Sequence, residues 1–302
     1  MRVLIVGCGY VGLPLGAELA RQGHEVFGLR RSANAMGELQ AAGLQPLVGD
    51  ITQPDSLAKI PVPFDWVVNC VASSHGGAED YRRVYLEGTR NLLEWLAATP
   101  PKKFIYTSST SVYGQDDGSL VKETSAAEPP TETGVVLRET EQRLLAAAAE
   151  RQFPAVILRV AGIYGPERGH WFKQFLADEA RIEGDGSRLL NMIHRDDVIG
   201  AAIAALRSGR PGEIYNAVDD EPVAQRDFFR WLAESLDKPL PPSAPADEVA
   251  ARLRDATALQ ARKRGVTNKK ISNRKLKMEL GYVFKYPTFR QGYSAEIQRR
   301  DL

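Results

Sequence analysis

The chain has 302 residues, enough for one large α/β unit or for a nucleotide-binding unit with a smaller partner. Apolar residues make up 43% and charged residues 25%, and the formal net charge is +1, so the overall field favours neither nucleic acid nor an anionic membrane. Two cysteines, Cys8 and Cys70, are too few for a disulfide framework and fit a reducing cytosol, where both stay reduced.

Met1-Arg2 before an apolar run to Ala20 imitates an export signal. Four glycines, Pro14 and Glu18 interrupt that run and suit a strand, a turn and a helix better. No other stretch approaches the roughly 18 apolar residues of a membrane span. The expectation is a soluble, cytoplasmic protein without membrane contact.

Val3 to Val6 reads as a strand buried on both faces of a parallel sheet. Gly7-Cys8-Gly9-Tyr10-Val11-Gly12 follows directly, and an amphipathic helix then runs from Leu13 to Arg21. In a G-x-G-x-x-G turn, Gly7 allows the tight bend, Gly9 lets the backbone approach a pyrophosphate, and Gly12 lets helix pack on strand. The helix N-terminus offers N–H groups and a positive dipole end to phosphate. A second strand at Glu25 to Leu29 completes the unit.

That strand runs into Arg30-Arg31-Ser32, where NAD-preferring units place an acid for the ribose hydroxyls. Two cations and a hydroxyl suit a 2′-phosphate, so NADP(H) is the expected cofactor, with NAD as the alternative. The competing reading makes both arginines plain solvated charges. Residues Gly7, Gly9, Tyr10, Val11, Gly12, Arg30, Arg31, Ser32, Asp50, Ala72 and Ser108 form the expected cofactor site, Asp50 reaching the adenine edge unless it is an ordinary loop residue.

Strand and helix signals keep alternating. Strands are expected at Leu44 to Val48, Trp66 to Val71, Lys103 to Thr107 and Ala155 to Val160, with helices at Asp80 to Ala98 and Val136 to Arg151. The fold class is α/β, a Rossmann-like doubly wound parallel sheet with a smaller C-terminal substrate lobe. The expected division assigns 1–165 to the dinucleotide domain, with 195–220 returning to it, and 166–194 plus 221–302 to the lobe. Pro239 to Pro242 reads as a rigid connector.

Several segments together resemble the extended short-chain dehydrogenase/reductases, the NAD(P)-dependent epimerase/dehydratase superfamily. They are Gly88-Thr89-Arg90-Asn91-Leu92-Leu93, Ser108-Ser109-Thr110-Ser111-Val112-Tyr113-Gly114, Tyr164-Gly165-Pro166, His194-Arg195-Asp196-Asp197-Val198 and Leu280-Gly281-Tyr282. The resemblance implies catalysis by a Ser or Thr, at Ser109, with a Tyr and a Lys four residues later. The chain departs from that pattern. Thr133 stands at the Tyr position and Leu137 at the Lys position, and none of the ten tyrosines has a lysine four residues on. Tyr85 also replaces the usual Asn before Gly-Thr, and the dehydratase acid pair is replaced by Thr110-Ser111. The chain therefore resembles the atypical branch that lacks the dyad.

If chemistry occurs, Ser109, Tyr113, Tyr164 and His194 are the catalytic candidates, with Arg159, His170 and Asn191 on nearby segments. His194 has an ordinary pKa near neutrality; its alternative is a satisfied structural histidine, and Tyr113 and Tyr164 are alternatively packing residues. Arg262 to Met278 carries eight Lys/Arg and no acid. Solvated charge is the leading reading, ahead of an anion-binding wall, with nucleic acid third; Ser272 or Asn273 could cap a helix running to Leu280. The expected partner is a small-molecule substrate, carbonyl or nucleotide-linked. A homodimer is admitted, and no metal is expected. An oxidoreductase, epimerase or dehydratase leads over a non-catalytic NADP(H)-binding sensor.

Overall fold

In the computed structural model, which describes residues 1–244 and 267–299, the N-terminal apolar run forms β1 (Arg2–Val6). Val3 and Ile5 pack into the core on one face of the sheet, Leu4 and Val6 into the core on the other. Both faces are covered, so a strand of period two is apolar at every position. Six further strands join it: β2 (Glu25–Arg30), β3 (Gln45–Val48), β4 (Trp66–Asn69), β5 (Lys103–Ser109), β6 (Ala155–Val160) and β7 (Ile214–Ala217). Their order is β7-β6-β5-β4-β1-β2-β3, with every pairing parallel. The chain thus has a Rossmann-like, doubly wound α/β fold. Strand order reverses between β1 and β4, and the crevice beyond their carboxyl ends is where such sheets take ligands.

Helix α1 (Gly12–Arg21) follows β1. A helical segment over 77–95, α2, carries a π-helical turn at Arg82–Glu87. Helix α3 (Glu132–Arg151) begins earlier than the sequence pattern places it, because the Thr131 hydroxyl caps it by accepting from Gly134 N at 3.1 Å. Helix α4 (Arg195–Ser208) leads back to β7 at the sheet edge.

β4 ends at Asn69, short of the expected Val71, because Cys70 to Ala72 turn into the crevice. A third core, built on Tyr164, Phe172, Phe228, Phe229, Phe289 and Tyr293, holds the segments that follow β6. Pro239 to Pro242 leads into Ser243–Ala244, which pairs with Ile182–Glu183. Of the basic stretch, Arg262 to Arg264 lie outside the described residues.

Candidate active site

The turn after β1 is shaped as the glycine pattern requires. Gly7 has φ +87°, and a Cβ there would meet Val71 backbone at 2.8 Å. A Cβ on Gly12 would meet the Gly7 carbonyl oxygen at 2.3 Å, so only glycine lets α1 sit this close. Gly9 faces open space. The capping residue of α1 is Val11, which has no side chain able to bond the first-turn N–H groups. A cavity of about 630 Å³ opens above this turn, lined by Gly7, Gly9, Tyr10, Val11, Arg30, Arg31, Asp50, Ala72 and Ser108 among others. Two expected cofactor residues do not line it. Gly12 lies beneath, as packing, and the Ser32 hydroxyl caps a short turn by accepting from Asn34 N at 3.2 Å.

The two arginines differ. Arg30 is paired with Glu38 at 2.5 Å, whereas Arg31 makes no ion pair among the described residues and donates only to Ser74 Oγ at 3.0 Å. Asp50 accepts from Thr52 N and Oγ1, both at 2.9 Å.

β5 and the short turn after it deliver Ser108, Ser109 and Ser111 to the crevice. Ser109 and Ser111 line the first cavity and a second one of about 520 Å³. Ala161, Gly162, Ile163 and Arg168 are also shared, so the two chambers have a common wall. Thr133 and Leu137, one turn apart on α3, face the first cavity. One further turn on, Glu141 is buried, accepts from Ser108 Oγ at 2.6 Å, and pairs with Arg159 at 2.7 Å. Arg159 is thereby a structural cation at 4% exposure, stacked 4.7 Å from the Tyr113 ring.

The expected catalytic residues separate. Ser109 is on the shared wall. Tyr113 is fully buried, donates to Asn216 Oδ1 at 2.8 Å and lines neither cavity. Burial pushes its phenol pKa above the ordinary value. His194 is also fully buried and outside both cavities. Its Nδ1 caps α4 by accepting from Asp196 N at 3.1 Å, and its Nε2 meets Glu296 at 3.2 Å. Burial lowers its pKa, outweighing Glu296. Both are buried, with their polar atoms bonded inside the protein. Tyr164 lines the second cavity but stacks on Tyr293 with centroids 4.2 Å apart, and burial holds it as the neutral phenol. His170 and Asn191 line the second cavity as well, both amide atoms of Asn191 being bonded to the Lys269 and Ile271 backbone.

Four cations line the second cavity, and sequence reasoning did not single out three of them, Arg168, Lys173 and Arg188. The fourth, Lys269, belongs to the stretch read as solvated yet is only 5% exposed. Tyr81 and Tyr85, on α2, line the first cavity, with burial raising Tyr85 to about 12. Cys8 and Cys70 are both free, each thiol pushed up to about 12 by burial. Among the described residues no group of three His, Cys, Asp or Glu could hold a metal ion, and no helix is long and apolar enough to cross a membrane.

Residues 3–217 match the model of the NAD dependent epimerase/dehydratase family. Protein YeeZ of Escherichia coli K12 is 31% identical over 248 residues, covering 78% of this chain and 84% of that protein. A structure from Silicibacter pomeroyi, described as a functionally unknown conserved protein, superposes with a TM-score of 0.80 at 28% identity, covering 100% of this chain and 99% of that one. DesIV, a dTDP-glucose 4,6-dehydratase from Streptomyces venezuelae solved with NAD and TYD, shares the fold at a TM-score of 0.82 and 22% identity over 100% of this chain and 97% of its own.

Proposed function

The chain belongs to the NAD-dependent epimerase/dehydratase family, and from that membership we propose that it is an NADP(H)-dependent oxidoreductase acting on a small carbonyl or hydroxyl compound. The observation that carries this reading is the wall common to the two cavities, where Ser109 and Ser111 face both. The residues of the first cavity fit a dinucleotide: Gly9 leaves room for a pyrophosphate, and no acid stands at the end of β2. Gly7 to Val11 would hold the phosphates and Arg31 the 2′-phosphate, with Arg30 screened by Glu38. When bound, the nicotinamide supplies or accepts a hydride.

The chain's own part is to orient the substrate oxygen from the Ser109 and Ser111 hydroxyls and to exclude water with Ile163 and Leu137. Thr133 and Leu137 replace the family's tyrosine and lysine. A threonine hydroxyl does not ionise near neutrality and a leucine lowers no pKa, so these two positions supply no tyrosinate acid/base pair. The deciding experiment follows deuterium from 4-deuterated NADPH into a panel of aldehydes and ketones. Transfer supports the oxidoreductase. Submicromolar NADPH binding without transfer to any member favours a cofactor-occupancy sensor, the reading that apolar Leu137 would suit.

A further inference from the structure

Four basic residues line the second cavity: Arg168, Lys173, Arg188 and Lys269. No described carboxylate lines it. Lys269 is the decisive one. Its residue is 5% exposed, its ammonium donates to the Tyr113 carbonyl at 2.6 Å, and no ion pair to it is present among the described residues. Its charged neighbour is Arg188, another cation, already tied to Glu183 at 2.9 Å and donating to the Thr267 carbonyl at 3.3 Å. A buried ammonium with one neutral acceptor and a repelling neighbour is costly, because neither solvent nor counter-charge compensates its desolvation. Burial, reinforced by Arg188, accordingly lowers its pKa to about 8.

The geometry points to an oxyanion, a carboxylate or phosphate on the substrate itself, as the missing partner of Lys269. The anion's position follows from the lysine's tether. Tyr113 ends the same turn that carries Ser109 and Ser111, so the charge sits beside the shared wall rather than at the outer mouth. Arg188 flanks it, and Arg168 reaches both chambers. This inference rests on the second cavity being the substrate chamber, and it narrows the substrate to an anionic carbonyl or hydroxyl compound.

The test uses the full chain saturated with NADPH, so that anions cannot compete for the cofactor's phosphate sites. Inorganic sulfate represents the phosphate arm and malonate the carboxylate arm, and each is titrated by calorimetry. Saturable binding of either supports the inference, and the tighter arm identifies the substrate group. Lys269→Met should weaken that binding about tenfold or more, the worth of one charge-assisted hydrogen bond, while NADPH affinity stays unchanged. A measurement on the unaltered chain guards against a misfolded variant. Neither probe titrates between pH 7.5 and 9, so affinity should fall there as Lys269 loses its proton. Tyr164 and Tyr293 are held neutral by burial and the guanidinium groups stay charged, while His170 and Lys173 also line the cavity, so the same pH series on Lys269→Met subtracts whatever they contribute. No binding of either anion by NADPH-saturated protein overturns the inference, as does undiminished binding in Lys269→Met. Failure to bind NADPH at all would instead overturn the cofactor reading.

Discussion

At the scale of single residues, the structure separates groups of equal appearance in the sequence. Arg30 and Arg31 are adjacent cations, yet Glu38 occupies the first and leaves the second able to meet a phosphate. Arg31→Ala should therefore raise the Kd for NADPH by about ten- to a hundredfold, from losing charged hydrogen bonds of about 1.5–3 kcal/mol, and leave NADH nearly unchanged. Calorimetry with both cofactors checks this, and parallel losses would reduce Arg31 to a general surface charge. His194 shows the opposite case. Neutral pKa made it a candidate acid/base, but it caps α4 from a fully buried position. His194→Ala should cost at least about 1 kcal/mol in urea unfolding, the price of a lost cap, without removing any ionisation from the pH profile of turnover. A profile that lost its neutral limb in this variant would restore His194 as the proton donor.

At the scale of elements, α3 shows how one helix face serves site and scaffold together. Thr133, Leu137 and Glu141 follow each other at four-residue spacing, the first two on the cavity and the third in the core. Glu141 joins β5, through Ser108, to β6, through Arg159, in a pair whose side chains are 2% and 5% exposed. Glu141→Leu leaves Arg159 buried without its partner and should destabilise the fold by about 3–5 kcal/mol. Chemical denaturation measures it; a loss below about 1 kcal/mol would mean that water reaches the guanidinium. The strands and the helix bodies were legible from apolar runs and periodicity. The α3 start was not, because Thr131 sets it by a hydrogen bond that no period records.

At the scale of the whole molecule, buried charges make stability depend on pH. Asp219 is 1% exposed, its Oδ2 has no partner, and burial raises its pKa well above the ordinary carboxylate value. Its favourable contribution is complete below the unfolded-state pKa near 3.8 and is lost as pH rises through the higher folded-state value. Asp219→Asn should therefore raise the unfolding midpoint at pH 7, with the gain shrinking as pH approaches 4. A variant equally destabilised at both values would contradict this sign.

The sequence by itself determined the sheet and the glycine turn, because each rests on local rules: strand burial and permitted backbone angles. It determined equally that Thr133 and Leu137 hold no titrating group. Only tertiary structure decided which charges are free. Lys269 is separated from Tyr113 by 156 residues, and no linear pattern encodes the contact that buries it there. The same holds for Arg30 against Arg31 and for His194, since a side chain's charge and its availability are set by what the fold brings beside it.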